Sequence, residues 1–326
     1  MTTLVTGGIG WVPSHIVRAI AETGEHVVVV DLMDPDGVFA NLMGDLGTQV
    51  TVISGDTSAE GVIADVVREH SVTAIIHAAA ITPRRERELA EPERIIAVNL
   101  GALVHVLQVA RTTPAIRRTV FISSGSALGT VTDVDHVDEA TPSAAVGLYG
   151  VLKHTGERLV HRYRDLFGID AVSVRLANAY GPMERFTPGY SGATELREIL
   201  RIYAAGETVR INSLAGPWLD WTYVSDIADG VRTIWQAPHL THDLYTLTCG
   251  ELFSMGDVLA AFARNLPGFR YEVVPASEAN YIVSGDPPGP VTSPGRIREE
   301  LGWTTTTSFA DGMATYLQWI QTYGTY

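Results

Sequence analysis

Apolar residues in this chain fall into short unbroken runs, and a stretch with helical spacing follows each one. Thr3 to Thr6, His26 to Asp31, Gln49 to Ser54, Thr73 to His77 and Thr119 to Ile122 read as buried strands. Between and after them, Ser14 to Ala21, Ala59 to Glu69, Glu93 to Arg111 and Leu148 to Phe167 read as helices with one buried face. Strands alternating with helices up to about Arg175 predict right-handed βαβ units, and hence an α/β fold with a doubly wound parallel sheet of the Rossmann kind. Beyond about Ala177 the alternation stops. Gly, Pro and aromatic residues crowd into Tyr180 to Tyr190 and Gly285 to Pro294, flanking helical stretches at Thr194 to Ala205, Met255 to Arg264 and Phe309 to Thr322. The run Asp286-Pro287-Pro288-Gly289-Pro290 is too stiff for a helix and is either a lid edge or a plain connector.

The first strand runs into Thr6-Gly7-Gly8-Ile9-Gly10-Trp11-Val12-Pro13, a glycine turn that opens a helix. Glycines let the backbone approach a pyrophosphate closely, and the exposed N–H groups of a helix N-terminus hold it. Asp31 ends the second strand about twenty residues on, where a dinucleotide fold sets the carboxylate that receives the adenosine ribose hydroxyls. Leu32 and Met33 follow, with no Arg or Lys for a 2′-phosphate, so NAD rather than NADP is the expected cofactor. Pro13 stands where a third glycine belongs. A first helical turn tolerates proline, but close packing of that helix on its strand is put in question. Ala78, Ala79 and Ala80, after the fourth strand, either leave room for a flat cofactor or simply pack. The expected division is an NAD-binding part over 1–176, with 219–248 returning to it, and a smaller substrate-binding lobe made mainly of 177–218 and 249–326.

Tyr149 and Lys153 lie four apart in a helical stretch and so share a face. A free tyrosine titrates near ~10 and is a poor base at neutral pH, whereas a neighbouring ammonium favours the phenolate. The pair predicts Tyr149 as the base for a substrate alcohol, with Lys153 lowering its pKa. Ser123-Ser124-Gly125-Ser126 ends the fifth strand, where hydroxyls point into the ligand crevice of such folds. Ser124 is the first choice for orienting the substrate oxygen and Ser126 the second. The alternative is a serine-rich loop that caps itself.

Composition narrows the partners. A chain of 326 residues, 46% hydrophobic and 18% charged, matches a globular enzyme larger than one typical core. Twenty-three Lys and Arg against 37 Asp and Glu give a net charge of -14, which disfavours nucleic acid and anionic membranes as partners. Cys249 is the only cysteine, so an intrachain disulfide and a cysteine-rich metal site are both excluded. No His, Asp and Glu cluster has metal spacing, and no metal is expected. No basic leader precedes the first strand and no later apolar run reads as long enough to cross a bilayer, so a cytoplasmic location is expected.

Together these residues resemble the extended short-chain dehydrogenase/reductases, the NAD-dependent epimerase/dehydratase group. The likeness runs through Thr6 to Gly10, Asp31, Gly55-Asp56, His77 to Ala80, Asn99, Ser123-Ser124, Tyr149 with Lys153, Arg175 to Pro182 and Asp220 to Ala228. It implies cofactor contacts from Gly7, Gly8, Ile9, Gly10, Trp11, Asp31, Leu32, Asp56, Thr57, Ala78, Ala79, Ala80, Asn99, Ser123, Tyr149 and Lys153. Thr82, Arg84, Ser124, Ser126 and Asn178 are expected toward a small-molecule substrate, and the two long helices imply a homodimer. Two departures narrow the chemistry. Sugar-nucleotide 4,6-dehydratases of this group carry an Asp-Glu pair after the active hydroxyl, and here Gly125 and Ser126 stand there, so dehydration is not expected. Its nucleotide-sugar epimerases place a diphosphate-binding arginine where this chain has Leu219, which cannot replace a bidentate anchor. Arg84, Arg85 and Arg87 are read as a solvated turn interleaved with Glu86 and Glu88, the alternative being that one of them receives a substrate carboxylate or phosphate. The expected function is NAD-dependent oxidation of a secondary alcohol in a small sugar-like or hydroxy-acid substrate by Ser124, Tyr149 and Lys153. The alternatives are an epimerase with tightly bound NAD and, last, a non-catalytic NAD-responsive regulator.

Overall fold

A computed structural model describes residues 1–185, 187, 189, 194–286 and 288–324. Phe186, Pro188 and Tyr190 of the first Gly/Pro/aromatic run and Pro287 of the second lie outside the described residues. Seven strands build one sheet: β1 (Thr2–Thr6), β2 (His26–Asp31), β3 (Val50–Ser54), β4 (Ala74–His77), β5 (Arg118–Ile122), β6 (Ala171–Leu176) and β7 (Leu244–Leu247). Their order is β7-β6-β5-β4-β1-β2-β3 and every pairing is parallel. The direction of winding reverses between β1 and β4, which opens a crevice beyond the carboxyl ends of those two strands.

The strands read as continuous apolar runs because both faces are covered. Val5, Val27, Val29 and Ile76 point to one face, against α1 (Trp11–Ala21). Leu4, Val28, Val30 and Ile75 point to the other, against α2 (Val62–Glu69) and α3 (Pro92–Thr112). α4 (Leu148–Phe167) shares that second face further along, through Val160 against Leu103, Leu107 and Phe121. A second core gathers Tyr180, Leu200, Trp221, Leu259, Phe262 and Tyr316 around α5 (Glu195–Ala204), α7 (Met255–Asn265) and α8 (Phe309–Tyr323). Between these bodies, α6 (Val224–Gln236) lies against α1 and leads toward β7.

Four expectations need correcting. Pro13 is the third residue of α1 and does not loosen it: Ile16, Val17 and Ile20 are fully buried, and Ser14 N–H still donates to Gly10 O at 2.9 Å. The helix expected over 93–111 is two α-helical pieces joined by a π-helical segment at Ala97–Gly101. At 21 residues it is long and apolar enough to cross a bilayer, contrary to the reading above, yet half of it is buried and Leu103, Val106 and Leu107 sit in the cores against the sheet. Of the arginines read as a solvated turn, Arg85 and Arg87 belong to a short helix, Arg85–Ala90, and Arg87 lines the cleft described below.

Arg118 ties the sheet to α6. Its buried guanidinium donates to the carbonyls of Ile234 at 2.7 Å and Ala237 at 2.6 Å, and to both carboxylate oxygens of Asp170. Arg118→Met strands those helix-end acceptors and should cost about 2–3 kcal/mol, read as a lower urea midpoint. Two histidines are buried and neutral. Burial lowers His15 to about 4 against the hydrogen bond that its Nε2 donates to the Pro182 carbonyl, and lowers His77 to about 3 with help from the Lys153 charge. A folded pKa below the unfolded 6.5 means that the unfolded chain binds the extra protons. Their contribution is therefore complete above pH 6.5 and is lost as pH falls toward 4 and 3. His77→Asn, which keeps an acceptor for Thr6, should flatten the acid limb of a stability-against-pH curve; an unchanged slope would contradict this assignment.

Candidate active site

The crevice between the ends of β1 and β4 opens into a cleft of about 600 Å³. Its floor is fixed by β1. The Thr6 hydroxyl donates to His77 Nδ1 at 2.7 Å and accepts from Ala78 N–H and Ala79 N–H, both at 3.2 Å. This sets the path of Ala78, Ala79 and Ala80 along the floor. Gly7 faces them with φ +70°, and a Cβ there would lie 2.6 Å from Ala79 Cα, so only glycine fits. The backbone of the glycine turn is thereby left bare beside the cleft, at the N-terminus of α1, as a pyrophosphate requires.

Asp31 ends β2 at the next part of the wall. One carboxylate oxygen accepts from Ile9 N–H and the other from Met33 N–H, each at 2.9 Å. A carboxylate has about four acceptor sites, so two remain for ribose hydroxyls. Asp56 stands further out, held by Ser58 at 2.6 Å and Arg94 at 2.9 Å. Burial pushes its pKa up, but the Ser58 hydrogen bonds and Arg94 outweigh that and hold it below the usual carboxylate value. These groups, with Gly10, Trp11, Leu32 and Thr57 in the same lining, fit the adenosine and pyrophosphate parts of NAD.

At the opposite end stand Ser124 and the start of α4. Ser124 caps a short turn over Gly125–Ala127 and accepts from Ser126 N–H at 3.1 Å. A Cβ on Gly150 would meet Ser126 O at 2.4 Å, so the helix approaches this turn as only glycine allows. That approach brings the Tyr149 phenol into hydrogen bonds with Ser124 and Thr82. Lys153 is buried one turn along, as the spacing predicts, but it does not acidify the phenol here. Its ammonium donates to Ile122 O at 2.7 Å and lies 5.6 Å from the Tyr149 ring centre. Burial raises the Tyr149 pKa, with the Thr82 and Ser124 hydrogen bonds opposing it, and burial lowers Lys153 to about 7 despite the charge of Glu157. The expectation that Lys153 keeps the phenol acidic is overturned for the protein alone, because desolvation outweighs the pair.

Thr82, Ser123, Ser124, Ser126, Tyr149, Lys153 and Asn178 all line the cleft. Four expected residues do not. Gly8 and Ile9 are packed inward: a Cβ on Gly8 would meet Val29 at 2.8 Å, and Ile9 is fully buried. Asn99 clamps Ile81 from the π-helical segment, accepting from its N–H at 2.7 Å and donating to its carbonyl at 2.8 Å. Arg84 is exposed outside the lining. Sequence reasoning missed Arg94, Thr187, Thr194, Glu195 and Trp221 in the wall. For Thr194 a signal existed, since it begins an expected helix as its N-cap. Asn178 is positioned by the buried Asp220, whose carboxylate accepts from Asn178 Nδ2 at 3.0 Å and from the Thr248 hydroxyl at 2.9 Å. Leu219 is turned to the second core and is not in the wall.

Comparison with known proteins agrees with this geometry. The chain is 25% identical to a dTDP-glucose 4,6-dehydratase of Xanthomonas campestris pv. campestris, over 98% of this chain and 93% of that protein. It is 26% identical to a UDP-glucose 4-epimerase of Halalkalibacterium halodurans, over 93% and 90% respectively. The fold is shared with the UDP-glucose 4-epimerase of Thermotoga maritima, with TM-score 0.80, 20% identity and 99% of each chain covered. It is shared equally with the UDP-glucuronic acid 4-epimerase of Bacillus cereus, solved with UDP-glucuronic acid and NAD, with TM-score 0.80, 19% identity and 99% of each chain covered. The family described as NAD dependent epimerase/dehydratase matches residues 3–246, which span the glycine turn, Asp31, Ser124, Tyr149 and Lys153, and the chain belongs to that family as an NAD-dependent enzyme.

Proposed function

We propose that this enzyme takes hydride from a secondary alcohol carbon of a sugar-like substrate and returns it to the opposite face, as an epimerase. The observation that carries the reading is the Tyr149 phenol, held between the hydroxyls of Thr82 and Ser124 in the cleft and one turn from buried Lys153. NAD supplies the hydride acceptor and, when oxidised, a positive ring. Ser124 and Thr82 orient the substrate hydroxyl. Tyr149 takes the proton from that hydroxyl as a phenolate and gives it back when the carbonyl is reduced again. A cation beside a phenol favours the phenolate, so the raised pKa of the protein alone is the state before that charge arrives. Lys153, fixed on Ile122 O, holds the floor behind the base.

Dehydration is disfavoured because the turn after Ser124 offers Gly125 and Ser126 and no carboxylate. The relatives named as UDP-glucose and UDP-glucuronate 4-epimerases favour hydride return over net oxidation. The reading places the substrate between the floor and the C-terminal part of the chain. It includes a homodimer through α3 and α4, on which Ile96 and Val151 are exposed.

Tyr149→Phe should lower turnover by about 10²–10⁴-fold while leaving NAD affinity unchanged by calorimetry; near-normal turnover would rule the mechanism out. Because Tyr149 must be a phenolate to take the proton, kcat/KM of the native enzyme should fall as pH drops and the NAD-loaded enzyme's phenol is protonated, and Tyr149→Phe should remove that dependence. Epimerisation gives no lasting absorbance of NADH, whereas steady accumulation at saturating substrate would identify net oxidation instead.

A further inference from the structure

We propose that the substrate taken by this cleft carries no phosphate: it is an uncharged polyhydroxylated alcohol, a free sugar or polyol, and not a nucleoside diphosphate sugar. The inference rests on the hydride-transfer reading above and concerns what that site admits. Among the described residues, the lining holds three cations, Arg87, Arg94 and Lys153. Arg94 is engaged with Asp56 and Ser58 at the adenosine end, Arg87 with Glu91, and Lys153 with Ile122 O. The described lining that comes from the chain beyond Lys153 consists of Leu176, Ala177, Asn178, Ala179, Thr187, Gly189, Thr194, Glu195 and Trp221, and its only charge is the Glu195 carboxylate.

The field there is negative. Glu195 helps to raise the pKa of buried Glu184 and of Tyr281, in both cases after burial itself. The nearest cation on α5, Arg197, is buried and turned to Glu184 and Tyr316. Helix α5 offers no anion site either, because the Thr194 hydroxyl accepts from Arg197 N–H and the first turn carries Glu195 and Glu198. No residue between Arg185 and Thr194 is Lys or Arg. A diphosphate laid along this wall meets a carboxylate and no compensating cation, an arrangement that disfavours binding. Hydroxyls of Thr82, Ser126, Thr187 and Thr194, with the amide of Asn178 and the ring of Trp221, suit an uncharged polyol.

The test uses the NAD-loaded protein, with UDP and UDP-glucose as charged probes and a panel of free hexoses, pentoses and polyols as uncharged ones. Titration calorimetry should show no binding of UDP or UDP-glucose tighter than about 1 mM, while saturation-transfer spectra detect at least one uncharged alcohol. Glu195→Lys should then improve UDP affinity by about tenfold or more. A nucleotide sugar bound by the native protein below about 0.1 mM, failure of every uncharged alcohol to bind, or no gain in Glu195→Lys overturns the proposal. These readouts need no turnover. An alcohol that binds but undergoes no Tyr149-dependent hydride transfer faults the epimerase reading and leaves the substrate class standing.

Discussion

The site depends on a buried ion pair. Arg175 of β6 grips both carboxylate oxygens of Glu157 at 2.9 and 2.8 Å, and Glu157 also accepts the Ser123 hydroxyl at 2.6 Å. Both charged side chains are 5% exposed, so each would be costly if left alone, and the two are bound to each other and to the end of β5. Glu157 lies one turn beyond Lys153 and two beyond Tyr149 on α4. Fixing it to β5 and β6 therefore sets the rotation of the whole helix. The phenol is delivered to Ser124 and the ammonium to Ile122 O through this single anchor. A purely apolar seam would hold α4 on the sheet with less control over its register.

The same burial decides the protonation chemistry. A tyrosine and a lysine one turn apart suggest an acidic phenol, and spacing alone favours that reading. Placing both groups against the sheet removes water from each, and desolvation pushes them toward neutrality, Tyr149 upward and Lys153 down to about 7. The carbonyl of Ile122 then takes the ammonium that the phenol was expected to feel. The local sequence shows which groups are neighbours and not how much water surrounds them.

That distinction explains what was legible. Strands covered on both faces announce themselves as apolar runs, so β1 to β5 could be read within a residue or two, and with them the glycine turn, Asp31 and the serines at the end of β5. The second core follows another logic. Its strands, such as Asn178–Tyr180 and Trp221–Tyr223, are three residues long and pair across more than forty positions, too short for any period to show. Asn99 was singled out for the cofactor, but its amide is spent on the backbone of Ile81, because a π-helical segment turns it inward beneath the floor. Arg94 and Glu195 entered the wall without a signal, since charged residues on helices are solvated in most settings.

The outer wall is stabilised from within the second core, and this bears on how the cleft keeps its shape. Glu184, just after the Gly181-Pro182 turn, is 1% exposed. It accepts the hydroxyls of Thr194 and, at 2.6 Å, Tyr316 of α8. Burial raises its pKa to about 7 against those hydrogen bonds and the nearby Arg197 charge. On the same segment Arg185 reaches back to Asp36 and to Ile9 O beside the glycine turn. Gly189 O accepts Thr82 N–H at 2.7 Å, beside the floor. One stretch of chain is thus pinned to the cofactor turn, to the floor and to the C-terminal helix. The side chains of this wall are held by polar bonds reaching across both cores, so neither core alone determines the geometry of the cleft.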